Sequence, residues 1–271
     1  MTAPLALDHG GRTATLPARR SDLGRNLLTT VALAVVFAWA ARVVELRPLE
    51  LARDAGNIAV FLRGYLNPSF AHLGEYSWQC VVTVCIALWG TLLAVALAVP
   101  LGLAGARNLS PHPIVYFAAR RIMDVLRAVN EFVFALMFVT AVGLGPFAGL
   151  LALGIHTGGV LGKLLSETIE AIDPGQVEGV AAVGASRLHL IAFGVAPQVM
   201  PNFVSYVLLR FESDIRSASV IGMVGGGGIG FYLWDTIRSF NDREAATVIL
   251  LIVAMVMAID VVSARIRRTT I

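Results

Sequence analysis

The stretch that decides the fold class is SWQCVVTVCIALWGTLLAVALAVPLGLAG, residues 77–105, in which no side chain is charged. A helix needs about 20 mostly apolar residues to cross a bilayer, so this stretch can span one. Comparable apolar runs occupy residues 27–44, 123–142 and 245–262. Two weaker runs, residues 147–165 and 199–211, carry more glycine or polar residues, as helices that line a cavity often do. The sequence therefore predicts an all-α, polytopic membrane protein with about six transmembrane helices.

The composition supports this prediction. Of the 271 residues, 57% are hydrophobic and 14% are charged, and the mean hydropathy is +0.76, which is more apolar side chain than a soluble domain can bury. A net charge of +3 does not indicate a nucleic-acid-binding surface. Cys80 and Cys85 lie in an apolar run, so neither a disulfide framework nor a metal site is predicted. Residues 1–25 lack the apolar core of a cleavable signal peptide.

Arginine clusters predict the orientation, because basic residues resist translocation across the membrane. The clusters are Arg19, Arg20 and Arg25 before the first span, Arg107, Arg120 and Arg121 between the second and third, and Arg265, Arg267 and Arg268 after the last. With six spans all three lie in the cytoplasm, which predicts a multi-pass membrane protein with both termini in the cytoplasm. The predicted segments are a cytoplasmic tail at 1–26, a first span at 27–44, an extracytoplasmic connection at 45–75, a core domain at 76–265 with a cytoplasmic loop at 167–198, and a cytoplasmic tail at 266–271.

The cytoplasmic loop has the signals of two short helices. Asp173 can cap the first helix, with Pro174 at its first position, and Gly184 can end it in a left-handed turn. Ser186 can cap the second helix, and Pro197 marks its predicted limit. A compact helical pair of this kind suits a docking element, and the alternative is an ordinary connector.

The same loop resembles a known signature. Glu178, Gly184 and Pro197 resemble the EAA motif of binding-protein-dependent ABC importer permeases, E-A-A-x3-G-x9-I-x-L-P. The positions that depart from the motif are Gly179, Val180, Gly194 and Ala196. Residues 156–167, 170–180, 184–187 and 210–222 are similar to phosphonate/phosphite ABC transporter permeases, and the resemblance covers residues 75–265.

This resemblance implies a type I ABC importer permease fold and a function as the membrane subunit of an importer for phosphonate, phosphite or a related oxyanion. The implied partners are a second copy of the chain, cytoplasmic ATPase subunits, an extracytoplasmic binding protein and membrane lipid. The chain itself is then not an enzyme, has no catalytic residues and binds no cofactor, because ATP and magnesium belong to the ATPase. The implied coupling-loop residues are Asp173, Pro174, Glu178, Ala181, Gly184, Ala185, Ser186, Arg187 and Pro197. Glu178 is expected to fix the loop through a helix end or a basic group.

A glycine run before the last span, Gly225, Gly226, Gly227 and Gly228, is a candidate part of the pathway. It is not a nucleotide-binding loop, because a Walker motif needs lysine and serine or threonine directly after its glycines. We expect a tight re-entrant turn that is buried in protein, since glycine adopts backbone conformations closed to other residues. Direct contact with cargo is the alternative.

Four charged residues, Arg210, Glu212, Asp214 and Arg216, are predicted near the outer end of the fifth span. Their spacing allows two ion pairs within one helix, between Arg210 and Asp214 and between Glu212 and Arg216. The alternative is an outer gate or a transient contact with an anion, to which arginine presents forked donors.

Three further polar residues lie inside predicted spans: Asn130, Glu131 and His156. Hydrogen bonds between helices are the favoured interpretation for Asn130 and His156. Glu131 is the better pathway candidate, because a buried carboxylate is costly.

Other functions are open on sequence grounds. An ion-coupled secondary transporter would also use helices with a few intramembrane charges, but it needs no capped cytoplasmic loop. An importer permease for another small solute, such as methionine, is a second alternative. A membrane-embedded enzyme would need clustered ligands or a nucleophile with its base, whereas the five histidines are dispersed.

Overall fold

The computed structural model describes residues 23–47, 50 and 53–270, and side chains within residues 26–266 of these. The chain divides into two compact units, Met1–Ile58 and Ala59–Ile271. The first unit contains helix α1, Leu23–Val43, and the start of helix α2, Ala55–Tyr65. Most of the predicted N-terminal tail, with Arg19 and Arg20, lies outside the described residues. The side chains of Arg25, Arg267 and Arg268 also lie outside them.

The described part of the second unit is entirely helical. Its elements are α3, Leu73–Ala104; α4, Pro113–Ala128; α5, Glu131–Val142; α6, Pro146–Glu170; α7, Pro174–Ala182; one turn, Arg187–His189; a π-helical segment, Leu190–Val195; α8, Ala196–Ile221; a second π-helical segment, Gly222–Gly226; α9, Ile229–Arg238; and α10, Asp242–Thr270. Five helical runs in the described residues are long and apolar enough to span a membrane, and α4 with α5 adds a sixth if the bent pair is one span. The predicted all-α fold with about six spans is confirmed.

The prediction of one continuous helix over residues 123–142 is wrong. The structure breaks this run at Val129 and Asn130, which are extended, and α4 and α5 meet at 89°. The Asn130 side chain accepts a hydrogen bond of 2.9 Å from the backbone N–H of Phe132 and so caps α5. Asparagine favours this capping position over a helix interior, which outweighs the apolar character of the surrounding run.

Helices α3 and α6 pack closely along most of their lengths through small residues. A Cβ atom added to Gly154 would lie 2.6 Å from Leu93, and one added to Gly90 would lie 3.0 Å from Leu153. Small residues let helices approach in membranes, where the hydrophobic effect does not drive one helix against another. This close packing brings the middle of α3 next to the middle of α6, with Thr91 and Thr157 both buried there.

The glycine run forms a tight turn between α8 and α9, as the sequence predicts. Gly225, Gly227 and Gly228 have φ angles of 96°, 80° and 74°, which lie in the region that favours glycine. The Gly145 N–H donates to the Gly225 carbonyl at 2.8 Å, and the Ile229 N–H donates to Thr83 Oγ1 of α3 at 2.9 Å. These bonds satisfy backbone groups that membrane lipid could not satisfy.

Candidate functional site

The first candidate feature is the loop around α7, and its predicted caps are confirmed. The Asp173 carboxylate accepts a hydrogen bond of 2.9 Å from the Gly175 N–H, and Pro174 opens the helix. Gly184 follows α7 with a φ of 80°, in the left-handed region. Both ends of α7 are therefore determined by local sequence.

The second helix of the loop differs from its prediction. Ser186 stands at the N-cap position, and its hydroxyl lies 2.6 Å from His189 Nδ1. Pro197, however, does not end this helix, because the helical run continues from Arg187 to Gly226. Pro197 lies in the first turn of α8, where its missing N–H is tolerated. The π-helical segment Leu190–Val195 directly before it has already changed the spacing of the backbone hydrogen bonds.

Gln198 joins the loop to α8, a contact that the sequence reasoning missed. Its Oε1 atom accepts from the Asp173 N–H at 3.0 Å, and its Nε2 atom donates to the Gly194 carbonyl at 2.7 Å. The backbone of α7 also packs tightly on the π-helical segment, since a Cβ atom on Gly194 would lie 3.2 Å from Val177 Cα. The loop is thus held against the start of a long helix. No local signal distinguishes such a glutamine from one exposed to solvent.

A second brace holds the base of the loop. Glu170, at the end of α6, accepts from the backbone N–H of Arg107 at 2.8 Å and forms an ion pair of 2.8 Å with Arg120. The Asn108 side chain donates to the Ile169 carbonyl at 2.7 Å. These contacts tie the connection between α3 and α4 to the last turn of α6. We refer to this region as the α7 end of the bundle.

The outer surface of the loop is uncovered. Glu178 is exposed, and among the described residues no hydrogen bond or ion pair joins it to another side chain or to a helix end. The contact expected to fix the loop through Glu178 is therefore absent among the described residues. Three large apolar side chains, Val183, Leu188 and Phe193, are 83%, 79% and 66% exposed. Exposed apolar side chains and an exposed carboxylate on the same loop suit a docking surface.

We expect a Gln198→Ala variant to loosen α7 without unfolding the chain. Loss of the two hydrogen bonds between the Gln198 side chain and the Asp173 backbone removes about 1–2 kcal/mol of local stability. Amide hydrogen exchange in residues 174–184 should accelerate about fivefold to thirtyfold. Gln176 is the matched control, because it is an exposed glutamine of α7 with no hydrogen bond to a described residue. Equal exchange rates in Gln198→Ala and Gln176→Ala would contradict the proposed bracing.

The second candidate feature is a polar cluster between α3, α6 and α8. Asp214 is 1% exposed and accepts from Thr157 Oγ1 at 2.8 Å and from Thr91 Oγ1 at 3.0 Å. Arg210 Nη2 lies 3.5 Å from the same Thr157 hydroxyl. Thr157 thus bridges the arginine and the carboxylate, and no direct Arg210–Asp214 ion pair forms among the described residues.

Arg216 pairs with Asp260 and not with Glu212, the partner that its spacing predicts. Arg216 Nη1 lies 3.5 Å from Asp260 Oδ1 of α10, so its ion pair joins two helices instead of two turns of one helix. Glu212 is 9% exposed and is therefore buried. Packing against α10 brings Asp260 within reach of Arg216, which spacing within α8 cannot indicate.

Glu131 and His156 extend the cluster towards α5. Ser217 Oγ donates to Glu131 Oε1 at 2.8 Å, and His156 Nε2 lies 3.5 Å from Glu131 Oε2. His156 Nδ1 lies 2.9 Å from the carbonyl of Val129, which the break before α5 leaves without a helical partner. The hydrogen bonds between helices predicted for His156 are therefore present, while Asn130 caps its own helix.

The sequence analysis placed the four charged residues near the outer end of a span. In the structure, the polar cluster lies in the middle of the helix bundle instead. Thr91 lies near the middle of α3, Thr157 near the middle of α6, and Arg210 near the middle of the run Arg187–Gly226. The prediction misplaced the cluster because it began the fifth span at residue 199, whereas the helical run begins twelve residues earlier, at Arg187. The glycine turn lies beyond the far end of α8, and among the described residues none of its hydrogen bonds reaches the cluster.

Comparisons with known proteins agree with these features. The family model described as binding-protein-dependent transport system inner membrane component matches residues 98–269. A putative phosphite transport system permease protein of Stutzerimonas stutzeri is 36% identical over 243 residues, covering 90% of this chain and 86% of that protein. A phosphate-import permease protein of Mycolicibacterium smegmatis is 39% identical over 212 residues, covering 78% of this chain and 40% of that protein.

Among solved structures, the MetNI methionine ABC transporter in an inward-facing conformation matches with a TM-score of 0.62 and 19% identity. The match covers 73% of this chain and 96% of that chain. This likeness shows the fold, which is that of type I ABC importer permeases.

Proposed function

We propose, on the premise that this chain belongs to the family of binding-protein-dependent transport system inner membrane components, that it forms the pathway of an ATP-driven importer for phosphite, phosphonate or a related oxyanion. The observation that carries the proposal is the family match over residues 98–269, together with relatives that are named as phosphite and phosphonate transport permeases. The importer fold and the capped loop at the α7 end support the same function.

The loop around α7 is the proposed docking element for the ATPase. Its surface carries Glu178 and the apolar side chains Val183, Leu188 and Phe193, all of which are exposed. Gln198 connects the loop to α8. A displacement of α7 therefore also displaces the helix that carries Arg210 and Asp214 of the polar cluster. A capped helix moves as a rigid body, which suits transmission of ATPase closure to the pathway. ATP and magnesium would be bound by the ATPase and not by this chain.

The remaining parts of the proposal concern assembly and orientation. Two copies of this chain would pair in the membrane, with ATPase subunits on the cytoplasmic side and a binding protein on the other. The α7 end would face the cytoplasm, because Arg107, Arg120 and Arg121 lie at or near that end and basic residues remain cytoplasmic. Both termini would then be cytoplasmic, in a bacterial inner membrane.

Reconstitution tests the proposal. The chain, its ATPase and its binding protein are placed in liposomes, and uptake and ATP hydrolysis are measured with phosphite and with 2-aminoethylphosphonate. We expect uptake that requires ATP, the ATPase and the loaded binding protein, and no stimulation of hydrolysis by methionine as the control solute. Uptake that continues without ATP and without the ATPase would overturn the proposal and favour an ion-coupled secondary transporter. ATP-dependent uptake of methionine alone would overturn the proposed cargo.

A further inference from the structure

One face of α8 is mostly polar from Asn202 to Ser217. With 3.6 residues per turn, nine positions between residues 202 and 220 share this face. They are Asn202, Ser205, Tyr206, Leu209, Arg210, Ser213, Arg216, Ser217 and Val220, and each is exposed or half-exposed in the single chain. Seven of these nine side chains are polar. A helix that presented this face to lipid would place hydroxyls, an amide and two guanidinium groups in hydrocarbon.

The exposed faces of the neighbouring long helices are different. On α3 the large exposed side chains are Val81, Leu88, Trp89, Leu92 and Val99. On α10 they are Leu250, Val253, Met257, Val261 and Val262. These faces suit contact with lipid, whereas polar residues in transmembrane segments face a water-filled cavity or another protein surface. The polar face of α8 therefore marks the side of this chain that faces the pathway or a second copy.

Arg210 is the charged residue of this face that is built into the bundle. Its Nη2 atom reaches the Thr157 hydroxyl, and that hydroxyl donates to the buried Asp214, which also accepts from Thr91. The Nε atom of Arg210 is buried, and within the described part of the chain it has no hydrogen-bond partner. The side chain is half-exposed, and its Nη1 atom forms no hydrogen bond with the described residues, so this end of the guanidinium group keeps donors for a ligand.

Arg216, the second arginine of this face, forms an ion pair with another helix. Arg216 is 52% exposed and forms an ion pair with Asp260 of α10. Glu131, next to Arg210 in the cluster, is engaged by Ser217 and by His156. Of the two arginines, Arg210 alone therefore combines a mid-bundle position with a donor that no described residue occupies.

We propose that Arg210 contacts the oxyanion as it passes along the polar face of α8, and that Thr157 and Asp214 position its guanidinium group. The inference rests on the proposed function, since it names the contact through which that pathway recognises its cargo. Phosphite and phosphonates present several oxygens on one phosphorus atom, and the planar guanidinium group can donate two parallel N–H bonds to two of them. Ser213, one turn further along, supplies a hydroxyl donor on the same face.

The carboxylates of Asp214 and Glu131 explain how Arg210 can bind the oxyanion weakly enough to release it. Asp214 and Glu131 both interact electrostatically with Arg210 and partly offset its charge. A pathway needs contacts that are favourable enough for an ion to enter and weak enough for it to leave. An arginine without these carboxylates would hold an anion more tightly and release it more slowly.

The test uses the complete transporter in proteoliposomes, with uptake of radiolabelled phosphite and ATP hydrolysis measured in the same preparation. In Arg210→Gln we expect uptake to fall about tenfold to a hundredfold, the factor carried by one hydrogen bond to a charged group. Hydrolysis stimulated by the phosphite-loaded binding protein should stay within about twofold, because the docking loop is intact, so less phosphite is moved per ATP. Arg210→Lys, which keeps the charge without the fork, should lose about tenfold in uptake and carries the test if Arg210→Gln does not fold.

Thr157 is tested as a positioning residue by two variants. Thr157→Val removes the bridging hydroxyl and should lower the phosphite moved per ATP, whereas Thr157→Ser keeps the hydroxyl and should restore it. Arg121→Gln is the control for loss of an arginine, because Arg121 is 81% exposed on α4 and has no contact with the cluster. It should leave both rates unchanged.

The outcomes separate this inference from the proposed function. Wild-type protein that takes up neither phosphite nor 2-aminoethylphosphonate would refute the proposed cargo, and this inference with it. Normal uptake by wild-type protein and by both Arg210 variants would refute the inference alone. A parallel fall in uptake and hydrolysis, in variants with unchanged size-exclusion profile and thermal stability, would assign Arg210 to the conformational cycle and also overturn a cargo contact.

Discussion

A Gly184→Arg variant is expected to lose uptake and binding-protein-stimulated ATP hydrolysis by about a hundredfold, an effect of the size that a central interface residue carries. Gly184 lies between α7 and Ser186 on the exposed surface of the loop, with a φ of 80°. Apart from its two chain neighbours, no described residue has an atom within 4 Å of a Cβ atom added there. The large side chain therefore projects into the space that the proposed ATPase would occupy.

The structure provides a control for the backbone effect of this substitution. Any side chain at Gly184 must accept a left-handed conformation, which costs about 1–2 kcal/mol for most residues. Asparagine tolerates this conformation better, so Gly184→Asn should retain uptake and hydrolysis within a few-fold. The measurement is hydrolysis stimulated by loaded binding protein, beside the thermal stability of each purified variant. Normal coupling in Gly184→Arg would contradict the assignment of this surface to the ATPase.

A Gly230→Ala variant is expected to lose most of its folded yield. The added Cβ atom would lie 1.8 Å from the Ser219 carbonyl oxygen and 3.0 Å from Gly222 Cα, both of which are backbone atoms. Neither contact can be relieved by rotation of a side chain, so α9 must move away from the end of α8. Forcing extra volume into a packed site costs about 1–3 kcal/mol and sometimes more, and this contact lies at the upper limit.

Thermal unfolding in detergent and the yield of monodisperse protein measure this effect. Gly74→Ala is the matched control, because Gly74 lies in the first turn of α3 and an added Cβ atom meets nothing within 4 Å. Its stability should be unchanged or higher by about 0.5–1 kcal/mol, since alanine is the better helix former. If both variants are equally stable, the close approach of α9 to α8 is not a property of the protein.

The elements that the sequence predicted well are those specified by short-range features. A span is specified by its apolar length, which any segment carries within itself. The caps of α7 at Asp173 and Pro174 and its left-handed end at Gly184 depend on residues within a few positions of each other. The buried turn at Gly225–Gly228 depends on glycine at the positions of positive φ. The resemblance to importer permeases rests on the same compact segments.

The errors occurred where a local pattern competed with a distant neighbour. The i,i+4 spacing of Arg210 and Asp214 favours a direct ion pair, but the hydroxyls of Thr91 and Thr157 reach the carboxylate instead. Those threonines precede Asp214 by 123 and 57 residues. Pro197 resembles a helix end, yet the π-helical segment before it lets the helix continue.

By itself the sequence determined the membrane environment, the approximate number of spans and the capped loop, because hydrophobic length and backbone capping act over one segment. The tertiary structure alone decided the bend between α4 and α5, the attachment of the loop through Gln198 and the assembly of the polar cluster. Each of these depends on which helices touch, and helix contacts in a membrane are selected by close packing of small residues across segments far apart in the chain. For that reason the sequence does not distinguish Arg210 from the other arginines. Its contact with Thr157 forms only because α6 and α8 pack together.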